Sequence, residues 1–67
     1  MTVTLNGKLR DEFESPLTVA QLLDLLELTG QPVIVELDEI ALRPREFEKA
    51  MIEDGARLEI VRIAAGG

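Results

Sequence analysis

Ser15-Pro16-Leu17-Thr18-Val19-Ala20-Gln21-Leu22-Leu23-Asp24-Leu25-Leu26-Glu27-Leu28-Thr29-Gly30-Gln31-Pro32 encodes one helix with both ends marked, and its place in the chain decides the fold. Ser15-Pro16 interrupts whatever precedes it. Thr18 then stands at an N-cap position with Gln21 three residues on, a capping box in which two otherwise free backbone donors are satisfied reciprocally. Val19, Leu22, Leu23 and Leu26 follow the i, i+3, i+4, i+7 spacing of a single buried face, and Gln21, Asp24 and Glu27 lie away from it. Gly30 is placed to end the helix in a left-handed cap, and Pro32 prevents continuation. Leu25 and Leu28 fall off the main stripe and are expected to pack at the helix end.

Strand signals lie on both sides of this helix. Val3 and Leu5 alternate with polar neighbours from Thr2 to Asn6, and Asn6-Gly7 is a strong signal for a two-residue hairpin turn. Lys8 to Glu14 reads as the return strand, with Leu9 and Phe13 on one face. Asp11 falls between them on that face, which suggests an edge strand, a bulge or a frayed end. Beyond the helix, Val33-Ile34-Val35-Glu36-Leu37 is apolar enough for an interior strand. Asp38-Glu39 reads as a turn and Ile40-Ala41-Leu42 as a short return. Pro44 suits the first turn of a brief helix, whose inner face is expected to hold Phe47, Ala50 and Met51. Asp54-Gly55 turns the chain into a last strand, Arg57 to Ile63.

The order is hairpin, helix, short hairpin, one-turn helix, strand. The helix-containing connection lets the first and last strands lie parallel at the centre of one sheet. The expectation is an α+β fold of the β-grasp, or ubiquitin-like, kind: a mixed four- to five-stranded sheet with one main helix on one face. Residues 1–63 would form the domain and 64–67 a flexible tail.

Composition narrows the function. With 67 residues the chain is one small domain, of a size that buries only about 60% of its unfolded surface. It has no His and no Cys, so the commonest general base, the commonest metal ligand and any thiol nucleophile are missing. An enzyme with its own active site, or a metal centre, is not expected. A net charge of −6 argues against nucleic acid as a partner, and it suits either docking on a basic protein surface or simple solubility. No stretch has the length of a membrane span, and the N-terminus lacks the pattern of a secretion signal. A cytoplasmic protein, monomeric when free, is the expectation.

The last residues are Ala64-Ala65-Gly66-Gly67. Two glycines in a row can thread a channel too narrow for any other residue, and an α-carboxylate, with pKa about 3.3–3.7, is ionised at neutral pH. Two readings stay open on these residues alone. They are an unstructured terminus or cleavage scar, or a slim arm that offers one carboxylate to another enzyme.

At this point the chain resembles the ThiS family, the ubiquitin-like sulfur carriers of thiamine biosynthesis. The matching pieces are Leu5-Asn6-Gly7, Thr18-Val19 with Leu22-Leu23, Pro44-Arg45-Glu46-Phe47, Glu53-Asp54-Gly55, Leu58-Glu59-Ile60-Val61 and Gly66-Gly67. Asp38-Glu39 departs from the Asn, often followed by Gly, that is common at the family's middle turn, and Ile40-Ala41-Leu42-Arg43 departs before the Pro-Arg pair. The resemblance implies a protein co-substrate rather than an enzyme. In the family, the Gly67 position carries a carboxylate that an E1-like adenylyltransferase of the ThiF type adenylates. Sulfur then replaces the adenylate, and the thiocarboxylate donates it to a thiazole synthase of the ThiG type. No cofactor is bound by the carrier; ATP and a sulfur donor, such as a cysteine desulfurase system, serve the activating partner. Gly66, Ala65 and Ala64 would present the reacting terminus.

Strand alternation suggests where such partners dock. Leu58 and Ile60 would face the helix, leaving Arg57, Glu59, Val61 and Ile63 on the open face, joined by Ile34 and Glu36. Ile34, Val61 and Ile63 would form an apolar patch ringed by charge, the kind of surface that marks a partner site. Other readings share the fold: the small subunit of molybdopterin synthase, another ubiquitin-like sulfur carrier, a protein modifier joined to lysines, or a plain binding module. Ile63-Ala64-Ala65 lacks the proline usual before Gly-Gly in the molybdopterin subunit. An acyl carrier is disfavoured because Ser15, the only serine, precedes Pro16.

Overall fold

A computed structural model describes residues 1–63. Its elements are β1 (Val3–Leu5), β2 (Lys8–Arg10), α1 (Val19–Leu25), β3 (Val33–Leu37), β4 (Ile40–Leu42), a 3-10 turn (Pro44–Glu46) and β5 (Arg57–Arg62). The five strands form one sheet in the order β2-β1-β5-β3-β4. β5 lies at its centre, parallel to β1 and antiparallel to β3. This is the mixed sheet with one crossover helix that the order of sequence signals predicts.

The helix starts as its sequence dictates. The Thr18 hydroxyl accepts from the Gln21 N–H at 3.1 Å, and the Gln21 side chain accepts from the Thr18 N–H at 2.8 Å. Val19, Leu22 and Leu23 are buried beneath it against Val3, Val35, Leu58 and Ile60. Burial of each such side chain stabilises by about 1.5–3 kcal/mol. The helix stops earlier than Gly30. Glu27, at φ 60, is the first left-handed residue after it. The Glu27 N–H donates to the Asp24 carbonyl at 3.0 Å, and the Leu28 N–H donates to the Leu23 carbonyl at 2.8 Å. These are the two bonds of a Schellman cap, and they hold a non-glycine residue where glycine is usual. Gly30, at φ 82, serves a separate turn closed by the Gln31 N–H on the Leu28 carbonyl. Leu28 packs against the core as expected, but Leu25 is exposed.

The second strand is shorter than Lys8 to Glu14, and Leu9 does not share a face with Phe13. The two-residue turn Asn6-Gly7, with φ 50 and 82, fixes Leu5 opposite Lys8 and Thr4 opposite Leu9. Directly opposed residues share a face, so Leu9 lies with Thr4 on the side away from Val3 and Leu5 and is 76% exposed. The edge strand ends at Arg10, and Phe13 returns to the core from a non-strand segment. Arg10 lies over the Phe13 ring, 5.3 Å from its centroid, and donates to the Glu12 carboxylate through Nε and Nη2. That hydrogen bonding holds the Glu12 carboxyl below its ordinary pKa.

Residues 50–52 also differ from expectation. The Val19 N–H donates to the Ala50 carbonyl and the Ile52 N–H to the Leu17 carbonyl, so this segment is extended against Leu17–Val19 rather than helical. Its side chains therefore alternate with period two. Ile52 is buried, Ala50 is partly buried and Met51 points outward. No helix among the described residues is long and apolar enough to cross a membrane.

Candidate functional site

The central strand is the element that carries the chain toward Gly67. β5 is held along its length on one side and as far as Ile60 on the other. On one side it pairs with β3 from Leu58 opposite Leu37 to Arg62 opposite Val33. On the other it pairs with β1 only at Arg57 and Leu58. Past that point β1 has turned into its hairpin, and the Asn6 side chain takes over. Its Oδ1 accepts from the Ile60 N–H at 2.7 Å, and its Nδ2 donates to the Ile60 carbonyl at 3.2 Å. One carboxamide thus reproduces the donor and acceptor of a peptide unit and satisfies two backbone groups beside the core. The same residue occupies the left-handed turn position, φ 50, so Asn6 performs two tasks that no aliphatic residue could combine. Local sequence signals mark only the turn.

Among the described residues, the last bond of the sheet on the β3 side runs from the Ile63 N–H to the Pro32 carbonyl, at 2.8 Å. The four positions expected to present the reacting terminus, Ala64, Ala65, Gly66 and Gly67, lie outside the described residues.

The open sheet face carries exposed side chains of β3 and β5. Ile34 and Val61 are direct cross-strand partners on β3 and β5, 48% and 57% exposed. Glu36 and Glu59 are the next pair on this face, also directly opposed and also exposed. Directly opposed like charges are unfavourable in a sheet. Ile63, one residue past β5, is half exposed and borders a groove of about 620 Å³ whose walls include Leu23, Leu28, Pro32, Val33 and Phe47. The structure therefore joins Ile34 to Val61 and sets Ile63 at the mouth of this groove. The groove and the opposed glutamates were not anticipated. Finding them requires the β3–β5 register, which local sequence signals do not supply. Among the described residues, no group of three or more acidic, His or Cys side chains is arranged to hold a metal ion.

A five-stranded mixed sheet with parallel central strands and a single helix on one face defines a ubiquitin-like β-grasp protein. The model of the family described as the ThiS family matches residues 3–67, and the chain belongs to that family. The crystal structure of a thiamine biosynthesis protein (ThiS) from Geobacter metallireducens is similar to this chain at 30% sequence identity with a TM-score of 0.84, covering 100% of both chains. A solution structure of a thiamine biosynthesis protein from the same organism shows 30% identity and a TM-score of 0.84, over 100% of this chain and 88% of the other. No curated protein sequence matches this chain.

Proposed function

We propose that this protein is a sulfur carrier of thiamine biosynthesis, a co-substrate whose reacting group is the C-terminal carboxylate of Gly67. The observation that supports this most is the match to the ThiS family, which runs to the last residue, Gly67. In this reading residues 1–63 are a docking body and residues 64–67 a mobile arm; strong heteronuclear NOEs at Ala65 and Gly66 would contradict the mobility. Ala64, Ala65 and Gly66 are small enough to follow the reacting group into a narrow channel.

The chemistry needs an external activator because a carboxylate is a poor electrophile. A carboxylate oxygen of Gly67 attacks the α-phosphorus of ATP and pyrophosphate leaves. The resulting acyl adenylate has a good leaving group. Sulfur at the sulfide level attacks the acyl carbon, and AMP departs with the bonding electron pair. The thiocarboxylate then hands its sulfur to thiazole synthase. The activator is an E1-like adenylyltransferase, and a cysteine desulfurase system supplies the sulfur as a persulfide, which a thiol reduces to the sulfide level as the two remaining sulfurs join in a disulfide. The carrier contributes no acid, base or metal to these steps. Ile34 and Val61, with Ile63 nearby, form the apolar contact for the activator, and Glu36 and Glu59 attract a basic residue on it.

The test is ATP–pyrophosphate exchange by the activating enzyme. Exchange should depend on this chain and vanish when Gly67 is deleted. Exchange that survives the deletion would place the adenylated group elsewhere. Conjugates to lysines would indicate a modifier. Consumption of the thiocarboxylate by molybdopterin synthase, and not by thiazole synthase, would change the acceptor.

A further inference from the structure

Three of the seven lysines and arginines in this acidic chain fall within Arg43-Pro44-Arg45-Glu46-Phe47-Glu48-Lys49. Pro44, Glu46 and Phe47 have structural tasks there. Pro44 opens the 3-10 turn, and the Glu46 carboxylate accepts from the Arg43 N–H at 2.7 Å. Phe47 packs against the core, and its carbonyl accepts from the Ala20 N–H at 2.8 Å, which ties the turn to the start of α1. Arg45 and Lys49 have no such task. Both are exposed, and neither makes an ion pair among the described residues. Solubility does not account for them, because a cation reduces the magnitude of a net charge of −6. Together they line a depression of about 440 Å³ with Leu42, Glu46 and Ala50. Leu42 and Ala50 are partly buried and give it an apolar floor. Leu42 lies opposite Val35, which is buried beneath α1, so the depression opens at the β4 edge on the helix side of the sheet. Ile34, Glu36, Glu59 and Val61 face the other way.

We infer that this depression is a second docking surface, and that its occupant is an acidic segment of a partner protein. Arg45 and Lys49 supply two cations for carboxylates, while Leu42, Ala50 and the stems of the two long side chains receive an apolar residue between them. A compact phosphate fits less well, because such ions are cradled by converging backbone donors. Here Pro44 has no N–H, and the Arg43 N–H is already taken by Glu46. A segment with several carboxylates can divide its charge between the two cations and keep clear of the Glu46 carboxylate. The surface does not depend on the sulfur-carrier function proposed above. A partner seated on the open face leaves it accessible, so the domain can be held at once by a basic surface at Glu36 and Glu59 and an acidic one at Arg45 and Lys49.

The experiment titrates the isotope-labelled full chain with the peptide Glu-Glu-Leu-Glu-Glu-Leu and follows backbone amide shifts by NMR. Shifts should concentrate at Leu42, Arg45, Glu46, Lys49 and Ala50. The chain's net charge of −6 repels this peptide at long range, so binding requires the local cations. Arg45→Glu combined with Lys49→Glu should weaken the peptide at least about 10-fold, because two attractions become repulsions. The milder pair Arg45→Gln and Lys49→Gln should weaken it about 5-fold, as loss of two exposed ion pairs would. Both side chains are exposed, so these variants should fold, which unchanged amide shifts in β1 and β5 verify. Val61→Asp, on the open face, should leave the peptide affinity unaltered. Affinity that survives the double reversal would overturn the proposal, as would shifts centred on Ile34 and Val61. Equal shifts at the depression from inorganic phosphate, or from the same peptide with Gln for every Glu, would overturn the assignment of an acidic segment.

Discussion

The two faces of the sheet are built from alternate residues of the same strands, yet they answer to different demands. On the helix side Val35, Leu58 and Ile60 are buried beneath α1. On the other side their neighbours Ile34, Glu36, Glu59 and Val61 are exposed. The first face resembles a core filled for stability. The second places two aliphatic side chains beside two opposed carboxylates and is covered by nothing among the described residues. In so small a domain, whose core supplies only a few kcal/mol, one face must do nearly all the stabilising. The other is thereby free for recognition.

Substitutions on each face can break or sharpen this contrast. Leu58→Ala, at the fully buried centre of the covered face, should cost about 2–5 kcal/mol and leave much of the chain unfolded, as read by urea titration. Asn6→Ala removes both bonds to Ile60 and leaves a Cβ-bearing residue at φ 50. The expected loss is about 2–3 kcal/mol. Asn6→Gly keeps the turn and should recover roughly 1 kcal/mol of that, which separates the clasp from the backbone conformation. Val61→Asp, on the open face, should cost about 1 kcal/mol through lost strand propensity and added negative charge near Glu59, and leave the domain folded. It should nevertheless weaken binding to the activating enzyme about 10-fold by calorimetry, as loss of a desolvated apolar contact would. An affinity that does not change would remove Val61 from the interface. A large loss of stability would erase the distinction between the faces.

Much of this contrast was legible in the sequence because it rests on local periodicity. The Thr18 capping box, the Val19-Leu22-Leu23 stripe and the alternation of β5 all follow from residue spacing. The structure departs from residue preference where particular hydrogen bonds decide the conformation. Glu27 takes the left-handed position expected of Gly30 because two cap hydrogen bonds secure it there. Met51 points outward, not to the inner face expected of it, because backbone bonds to Leu17 and Val19 impose period two on a segment that reads as helical. Asp38 and Glu39 both adopt positive φ without a glycine. Asp38 is secured by its N–H on the Arg57 carbonyl and by the Arg57 N–H on its Oδ1 at 2.9 Å. The apolar pair Ile34–Val61 was legible from alternation, whereas the opposition of Glu36 and Glu59 appears only once the β3–β5 register is known.

The central claim is that the body folds and docks while a single terminal carboxylate reacts. Intact-mass spectrometry of the full chain, after incubation with ATP, the activating enzyme and sulfide, tests it most directly. The expected result is a gain equal to one oxygen replaced by sulfur, absent from a chain lacking Gly67. The same gain in the Gly67-deleted chain, or no gain while the activating enzyme consumes ATP, would contradict it.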